Sequence, residues 1–253
     1  MKSVKAKKHL GQHFLNDKII AKQITDLLTI KKNQNLLEIG PGMGVLTQFL
    51  ITKKINIKLI EIDYESIIYL KKHFKENEKD IIYGDFLKID IKTYFKQKIS
   101  IIGNFPYNIS SQILFKVYEN KNQVDQVVGM FQKEVAERIV SPSGKKRGIL
   151  SVFIQAFYET EYCFTVEENS FSPPPKIKSA VIKLSRNSRK ELDCNEMLFK
   201  NIVKSAYNQR RKTLRNALKS FNLKINNKIT QLLNLRAEKL SVEDFIKITQ
   251  NVE

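Results

Sequence analysis

The stretch Asn35-Leu36-Leu37-Glu38-Ile39-Gly40-Pro41-Gly42-Met43-Gly44, followed by Val45-Leu46-Thr47, decides the fold. An apolar run of strand character enters a glycine-rich turn that opens a helix, the arrangement of a nucleotide-type pocket. A dinucleotide fingerprint places its third glycine or alanine at position 45, where this chain has Val45. The pattern therefore turns away from NAD. No acid or base for hydride transfer is in view either, which opposes a dinucleotide oxidoreductase.

Working outward, the next apolar run, Ile57-Lys58-Leu59-Ile60-Glu61-Ile62-Asp63, ends in acid about 20 residues on, where ribose hydroxyls are held in such pockets. One carboxylate accepts from both hydroxyls of a cis-diol. A third run, Asp80 to Asp85, finishes on Gly84-Asp85, and Asp85 is placed to accept from an adenine amine. The fourth, Ile99-Ser100-Ile101-Ile102-Gly103, delivers Asn104-Phe105-Pro106-Tyr107-Asn108. Ligands of open α/β sheets bind outside the carboxyl ends of the strands, so four successive strand ends converge on one rim. Pro106 lacks an N–H and holds Phe105 extended, leaving the Phe105 carbonyl and the Asn104 amide oxygen as acceptors for a ligand amine.

The 253 residues fit one large α/β domain with a small appendage, and 42% hydrophobic residues is a globular value. A net charge of +18 points to a polyanionic partner, most simply nucleic acid. Only 8 of the 44 basic residues are arginine, so part of the lysine excess fits an AT-rich genome. Cys163 and Cys194 are too few for a disulfide framework or a zinc site, which fits a reduced cytoplasmic compartment. The basic arm Met1–Lys8 leads into no apolar segment and is no secretory signal. Residues 99–115 are uncharged but interrupted by Gly, Asn, Pro and Ser, so no membrane span is expected. No metal-ligand constellation is present.

From Asp17 an amphipathic pattern reads as a helix, with Asn16 or Asp17 as its N-cap. Val127–Gln132 reads as a strand passing into a helix over 133–140, followed by the basic loop Ser141–Gly148. Ile149–Tyr158 reads as a core helix, and Thr160–Val166 and Ala180–Leu184 as closing strands. Between these strands the three prolines of Phe171-Ser172-Pro173-Pro174-Pro175-Lys176 predict a stiff segment that presents Phe171. A polar boundary at 185–190 separates residues 1–187 from a small helical region over 188–253. Its helices are expected at Asp193–Tyr207, Arg210–Phe221, Asn227–Leu235 and Ser241–Asn251, the last opened by a capping box. Arg210, Arg211, Lys212 and Arg215 then place cations on adjacent helical turns, and arginine suits bidentate phosphate contacts.

The chain as a whole resembles the KsgA family of rRNA adenine N6-dimethyltransferases. The resemblance is carried by Gly11-Gln12-His13-Phe14-Leu15, Glu38-Ile39-Gly40-Pro41-Gly42, Ile60-Glu61-Ile62-Asp63, Gly84-Asp85 and Asn104-Phe105-Pro106-Tyr107-Asn108-Ile109-Ser110. Gln132-Lys133-Glu134-Val135, Phe171–Lys176 and Gln209-Arg210-Arg211-Lys212-Thr213-Leu214-Arg215 follow in the family's order. It implies an α/β fold: a Rossmann-like class I methyltransferase domain on a mostly parallel seven-stranded sheet, with a C-terminal all-helical domain. It also implies S-adenosylmethionine (S-adenosyl-L-methionine) as cofactor and 16S rRNA in the small ribosomal subunit as partner; a monomer is the simple expectation, with oligomeric state left open. His13 and Leu15 are then expected to border the cofactor, with Gly40 at its methionine end, Glu61 at the ribose and Asp85 at the adenine. Asn104 is expected between cofactor and target base, with Phe105 contributing its carbonyl and Tyr107 and Phe171 sandwiching the base. Lys145, Lys146, Arg147, Arg210, Arg211 and Arg215 are the expected RNA contacts. The chain departs from the usual family pattern at His13, where Asn is common, and at Phe105, where Leu is common. Rival readings are an Erm-type methyltransferase acting on 23S rRNA and a non-catalytic RNA-binding assembly factor. The Pro-rich segment and the Arg-Arg-Lys run oppose the former, and intact Glu61, Asp85 and Asn104-Phe-Pro-Tyr oppose the latter.

Overall fold

A computed structural model describes residues 4–30, 34–53 and 55–253. The first three residues of the basic arm lie outside the described residues. The strands are β1 (Phe14–Leu15), β2 (Asn35–Ile39), β3 (Asn56–Glu61), β4 (Ile81–Tyr83) and β5 (Ile99–Asn104), then β6 (Val124–Gln132), β7 (Tyr158–Val166), β8 (Phe171–Ser172) and β9 (Ser179–Arg186). The α-helices are α1 (Lys18–Asp26), α2 (Thr47–Leu50), α3 (Tyr64–His73), α4 (Ile91–Tyr94), α5 (Ser110–Glu119) and α6 (Lys133–Val140). They continue as α7 (Ile149–Phe157), α8 (Glu196–Asn208), α9 (Leu214–Ala217), α10 (Asn227–Leu233) and α11 (Val242–Gln250).

Seven strands form one sheet in the order β4-β3-β2-β5-β6-β9-β7. Strands β4, β3, β2, β5 and β6 are parallel, and β9 runs antiparallel to β6. This is the expected mostly parallel sheet. The five residues of β2 are all buried, as a strand covered on both faces requires. From β2 the chain winds outward through β3 and β4, then returns to the other side of β2 as β5. The β2–β5 boundary is thus a topological switch point, where a crevice opens at the carboxyl ends.

Residues 1–136 and 161–186 make one compact unit, and 137–160 with 187–253 make the other. Residues 137–160 thus group with the helical unit instead of the sheet-bearing one. Helix α7 explains the difference. It is apolar except for Ser151 and Gln155, which hydrogen-bond within the same unit, and nearly all its residues are buried, so it belongs inside a helical core. In that unit Phe153 of α7 and Phe199 of α8 lie 6.2 Å apart between ring centroids. In the sheet-bearing unit one apolar cluster joins Ile24 of α1, Leu36, Leu59, Ile102, Met130, Phe171 and Val181.

Helix ends follow local chemistry. The Asp17 side chain accepts from Ile19 and Ile20 N–H, capping α1. Ser241 and Asp244 make the expected capping box of α11. The expected helix over Arg210–Phe221 is absent: α8 stops at Asn208, and only the one-turn α9 follows. No apolar residue falls between Tyr207 and Leu214. A helix there has no face to bury, and short helices hold together mainly by tertiary packing. Arg210, Arg211 and Lys212 therefore sit in a turn. Among the described residues, no helix is long and apolar enough to cross a membrane.

Candidate active site

The carboxyl ends of β2, β3, β4 and β5 wall a cleft that opens to solvent. Gly40 and Gly42, Glu61 and Ile62, Gly84, Asp85 and Phe86, and Asn104 to Tyr107 line it. Residues Leu10 to Phe14 cover one side. The four strand ends singled out in the sequence are thus brought to one place.

The glycine loop is tied to the next strand end. Gly42 has φ +57°, a left-handed conformation, and its N–H donates to Glu61 Oε2 at 3.0 Å. A Cβ here would lie 2.9 Å from the Phe14 ring, so a side chain is excluded twice over. Glu61 Oε1 accepts from the N–H groups of Ile62 and Asp63 at 2.8 and 2.9 Å. Three backbone donors thus hold a carboxylate that is only 4% exposed. A carboxylate offers about four acceptor positions, so room remains for one further hydroxyl at Oε2, not for both of a diol. Burial raises the Glu61 pKa, and the three N–H donors offset part of that rise.

Behind the loop, Glu38 of β2 is 1% exposed and accepts from the Thr47 hydroxyl at 2.8 Å. Burial, with Glu61 nearby, pushes its pKa up to about 8, and the Thr47 bond only partly counters this. The acid is therefore protonated in the folded chain over a range where it is ionised in the unfolded one. Folding is favoured most below the unfolded value near 4.5 and weakens as pH rises towards 8. In that window this group lowers the folding constant by about tenfold per pH unit. Glu38→Gln is expected to flatten this slope in urea titrations from pH 5 to 8. Equal slopes for both proteins would refute the assignment.

Asp85 is partly exposed; its Oδ1 accepts from Leu87 N–H at 2.9 Å, and its Oδ2 lies 4.0 Å from the exposed Lys88 ammonium. Its loop is steadied by Lys116 of α5, which donates to the carbonyls of Leu87 and Ile89 and lies 5.1 Å from the Phe86 ring centroid. Phe86, buried on the cleft wall, was not foreseen; an aromatic directly after Gly-Asp at a strand end was the available signal.

At the end of β5, Asn104 Nδ2 donates to the His13 carbonyl at 2.8 Å. A carbonyl can only accept, so this bond fixes the amide and leaves Oδ1 as an acceptor without a protein partner among the described residues. Pro106 lines the cleft beside the Phe105 backbone. The Phe105 ring itself is fully buried beneath the turn. Tyr107 stacks on His13 with centroids 5.5 Å apart and hydrogen-bonds Ser179 through its hydroxyl.

The N-terminal segment closes the site by several ties. His13 Nδ1 hydrogen-bonds the Pro173 carbonyl at 2.8 Å, Gln12 donates to Asp63, and Lys7 pairs with Asp63 and Glu65. Strand β1 pairs antiparallel with β8, setting Phe14 against Ser172 and Leu15 against Phe171. Leu15 is 4% exposed and lines a small hollow with Gly40, Gly42 and Asn104. One expectation changes here. Phe171 is 3% exposed within the apolar cluster of this unit and does not line the cleft. Pairing with β1 turns its ring inward, so the Pro-rich segment anchors the N-terminal strap and presents no stacking ring.

The expected RNA contacts all fall in the helical unit. Lys145, Lys146, Arg210, Arg211 and Arg215 are exposed. Arg210 donates to the Lys145 carbonyl at 2.6 Å and sits 3.6 Å from Glu238, joining two basic segments far apart in sequence. Lys146 pairs with Glu137. Arg147 is a correction: it is 1% exposed, and its guanidinium donates to the Ser141 carbonyl and to Gln155. It holds the loop from inside and has no surface to offer a phosphate. Among the described residues, no cluster of three or more His, Cys, Asp or Glu is arranged to hold a metal.

A family profile described as "Ribosomal RNA adenine dimethylase" matches residues 3–253. The chain is 55% identical over 252 residues to the ribosomal RNA small subunit methyltransferase A of Cytophaga hutchinsonii, covering 98% of each. It is 54% identical to that of Flavobacterium johnsoniae, covering all of this chain and 98% of the relative. Among solved structures, a dimethyladenosine transferase from Plasmodium falciparum matches with TM-score 0.80 and 25% identity over 93% of this chain and 96% of that one. The 23S rRNA methyltransferase ErmE shares the fold at TM-score 0.74 and 20% identity over 94% of this chain and 99% of that one.

Proposed function

This chain belongs to the ribosomal RNA adenine dimethylase family, and from that premise we propose that it dimethylates the N6 amines of two adjacent adenosines in 16S rRNA. The target lies in a hairpin near the 3′ end, within the small ribosomal subunit. The donor is S-adenosylmethionine, held in the cleft at the carboxyl edge of the sheet.

The observation that carries the reading is the Asn104 amide, oriented by the His13 carbonyl with Oδ1 free beside the Phe105 backbone. The cleft fits the donor: Gly40 and Gly42 admit close backbone approach, Glu61 offers one acceptor to a ribose hydroxyl, and Asp85 offers one to an adenine amine. Bound there, the cofactor supplies an electrophilic methyl on a sulfonium. The N6 lone pair of adenine is conjugated into the ring and is a weak nucleophile. Asn104 Oδ1 and the Phe105 carbonyl accept hydrogen bonds from the amine, which favours the pyramidal, reactive nitrogen and stabilises the positive charge it develops as the methyl–sulfur bond breaks; the methylated nitrogen then gives its proton to water. Tyr107 gives an aromatic face to a base splayed out of its RNA. No general base is required of these residues; their work is to hold the amine in position.

Lys145, Lys146, Arg210, Arg211 and Arg215 carry the phosphate contacts. Replacing Arg210, Arg211 and Arg215 together by Ala is expected to weaken RNA binding and reduce the slope of log K against log salt by roughly 0.7–0.9 per lost phosphate contact. A slope equal to wild type would return these arginines to an ordinary solvated surface. The test of the whole reading is mass mapping of rRNA after incubating the protein with unmethylated small subunits and labelled cofactor. Dimethyladenosine pairs in 16S rRNA are expected. Label confined to 23S rRNA of large subunits would overturn it.

A further inference from the structure

Strands β5 and β6 place Gly103 directly opposite Gly129 in the interior of the sheet. Glycine weakens a central strand, so a facing pair calls for something that needs the space. Phe105, on the same face of its strand as Gly103, fills it. A Cβ on Gly129 would lie 2.3 Å from Phe105 Cε2 and 2.7 Å from Phe131 Cε2. A Cβ on Gly103 would lie 2.7 Å from Phe105 Cε1 and 2.5 Å from the Ile39 carbonyl oxygen. The Phe105 ring meets Phe131 edge-on at 5.1 Å, and the Phe105 N–H donates to the Met130 carbonyl at 3.2 Å.

We propose that Gly129 and Gly103 form a socket for the Phe105 ring, and that this socket sets the height of the Asn104-Phe105-Pro106-Tyr107 turn over the cleft. Gly129 is then a positioning residue for methyl transfer, and positions 105 and 129 act as one volume. The ring is seated below the same residue whose carbonyl, next to Asn104 Oδ1, faces the amine. A ring lifted by an extra methyl raises both acceptors with it. Displacing reacting groups by about 1 Å costs roughly 10²-fold in rate. The inference rests on the assignment of this turn as the methyl-transfer site.

The volume argument dictates the test, a double-mutant cycle on the full chain with unmethylated small subunits and labelled cofactor. Gly129→Ala is expected to lower kcat by about 10²-fold with the KM for subunits changed by no more than about threefold, as misplaced reacting groups require. Phe105→Leu, which leaves the socket underfilled, is expected to lower kcat by about fivefold to tenfold with cofactor affinity unchanged. Leu with Ala conserves the summed volume, and Leu frees space for Phe131 to yield, so the double variant is expected within about fivefold of wild type. Gly103→Ala provides the control. Its Cβ meets the Ile39 backbone, so Phe105→Leu should not rescue it.

A wild-type kcat for Gly129→Ala would overturn the socket, as would a double variant with simply multiplied losses. Were Gly129→Ala not to fold, Phe105→Leu would still decide: a wild-type kcat for that variant overturns the positioning role. Wild-type transfer by Asn104→Ala would overturn the site assignment itself, whereas failed compensation with Asn104→Ala inactive overturns the socket alone.

Discussion

Asn104→Ala is expected to lower methyl transfer by at least roughly 10²–10³-fold while RNA affinity stays within a few-fold of wild type. The magnitude follows from losing one preorganised polar contact aimed at developing charge, and transfer here leans on few such groups. Two things disappear at once: the Oδ1 acceptor, and the bond from Nδ2 to the His13 carbonyl that orients it. Asn104→Asp separates them. It keeps an acceptor of the same size but cannot donate to His13, so its rate should fall between the other two. Single-turnover incorporation of labelled methyl into small subunits, with filter binding of the RNA, measures both quantities. An Ala variant with undiminished transfer would mean that the β5 end is a structural turn and that chemistry lies elsewhere. It would also revive the reading of the chain as an assembly factor.

Glu61→Ala is expected to weaken cofactor binding by roughly 10–100-fold, the equivalent of about 1.5–3 kcal/mol for a hydrogen bond to a charged group. The carboxylate gathers Gly42, Ile62 and Asp63 N–H and retains one acceptor position for the ligand. Removing it leaves the buried Gly42 and Asp63 N–H groups without partners and releases the glycine loop from β3. The variant should therefore also unfold at a lower temperature, and calorimetric titration with the demethylated cofactor would read the affinity directly. Turnover at saturating cofactor should change far less than affinity, because Glu61 is not among the acceptors for the amine. Unchanged affinity would remove Glu61 from the site.

These two residues were legible in the sequence because each stands at the end of a hydrophobic run. Strand ends in a parallel sheet gather at one rim whatever the loops do, so a local pattern sufficed to bring Gly40, Glu61, Asp85 and Asn104 together. Caps were legible for the same reason: Asp17 and Ser241 bond within three residues of themselves. Phe171 was misread because its destination is set by a partner strand far away in sequence. Proline stiffness predicts that the segment is held, not which way its ring points. Arg147 was grouped with Lys145 and Lys146 by composition, yet only the fold could show that the Ser141 carbonyl and the Gln155 side chain had claimed its guanidinium. The Arg210–Lys212 turn was misread as helix because helix propensity was present while an apolar face was not.

By itself, then, the sequence determined the parallel sheet, its glycine loop, the acid-tipped strands and the Asn104 amide at the end of β5. All of these are written in short apolar runs and in residue types at strand ends, where backbone geometry leaves little choice. Only the tertiary structure decided which side chains reach that chemistry. It sent Phe171 inward through the β1–β8 pairing and put Arg147 under its own loop. It aimed the Asn104 amide by a carbonyl 91 residues away and opened a glycine socket beneath Phe105. The reason is that burial and hydrogen-bond capacity are properties of neighbours in space, and chain order does not record them.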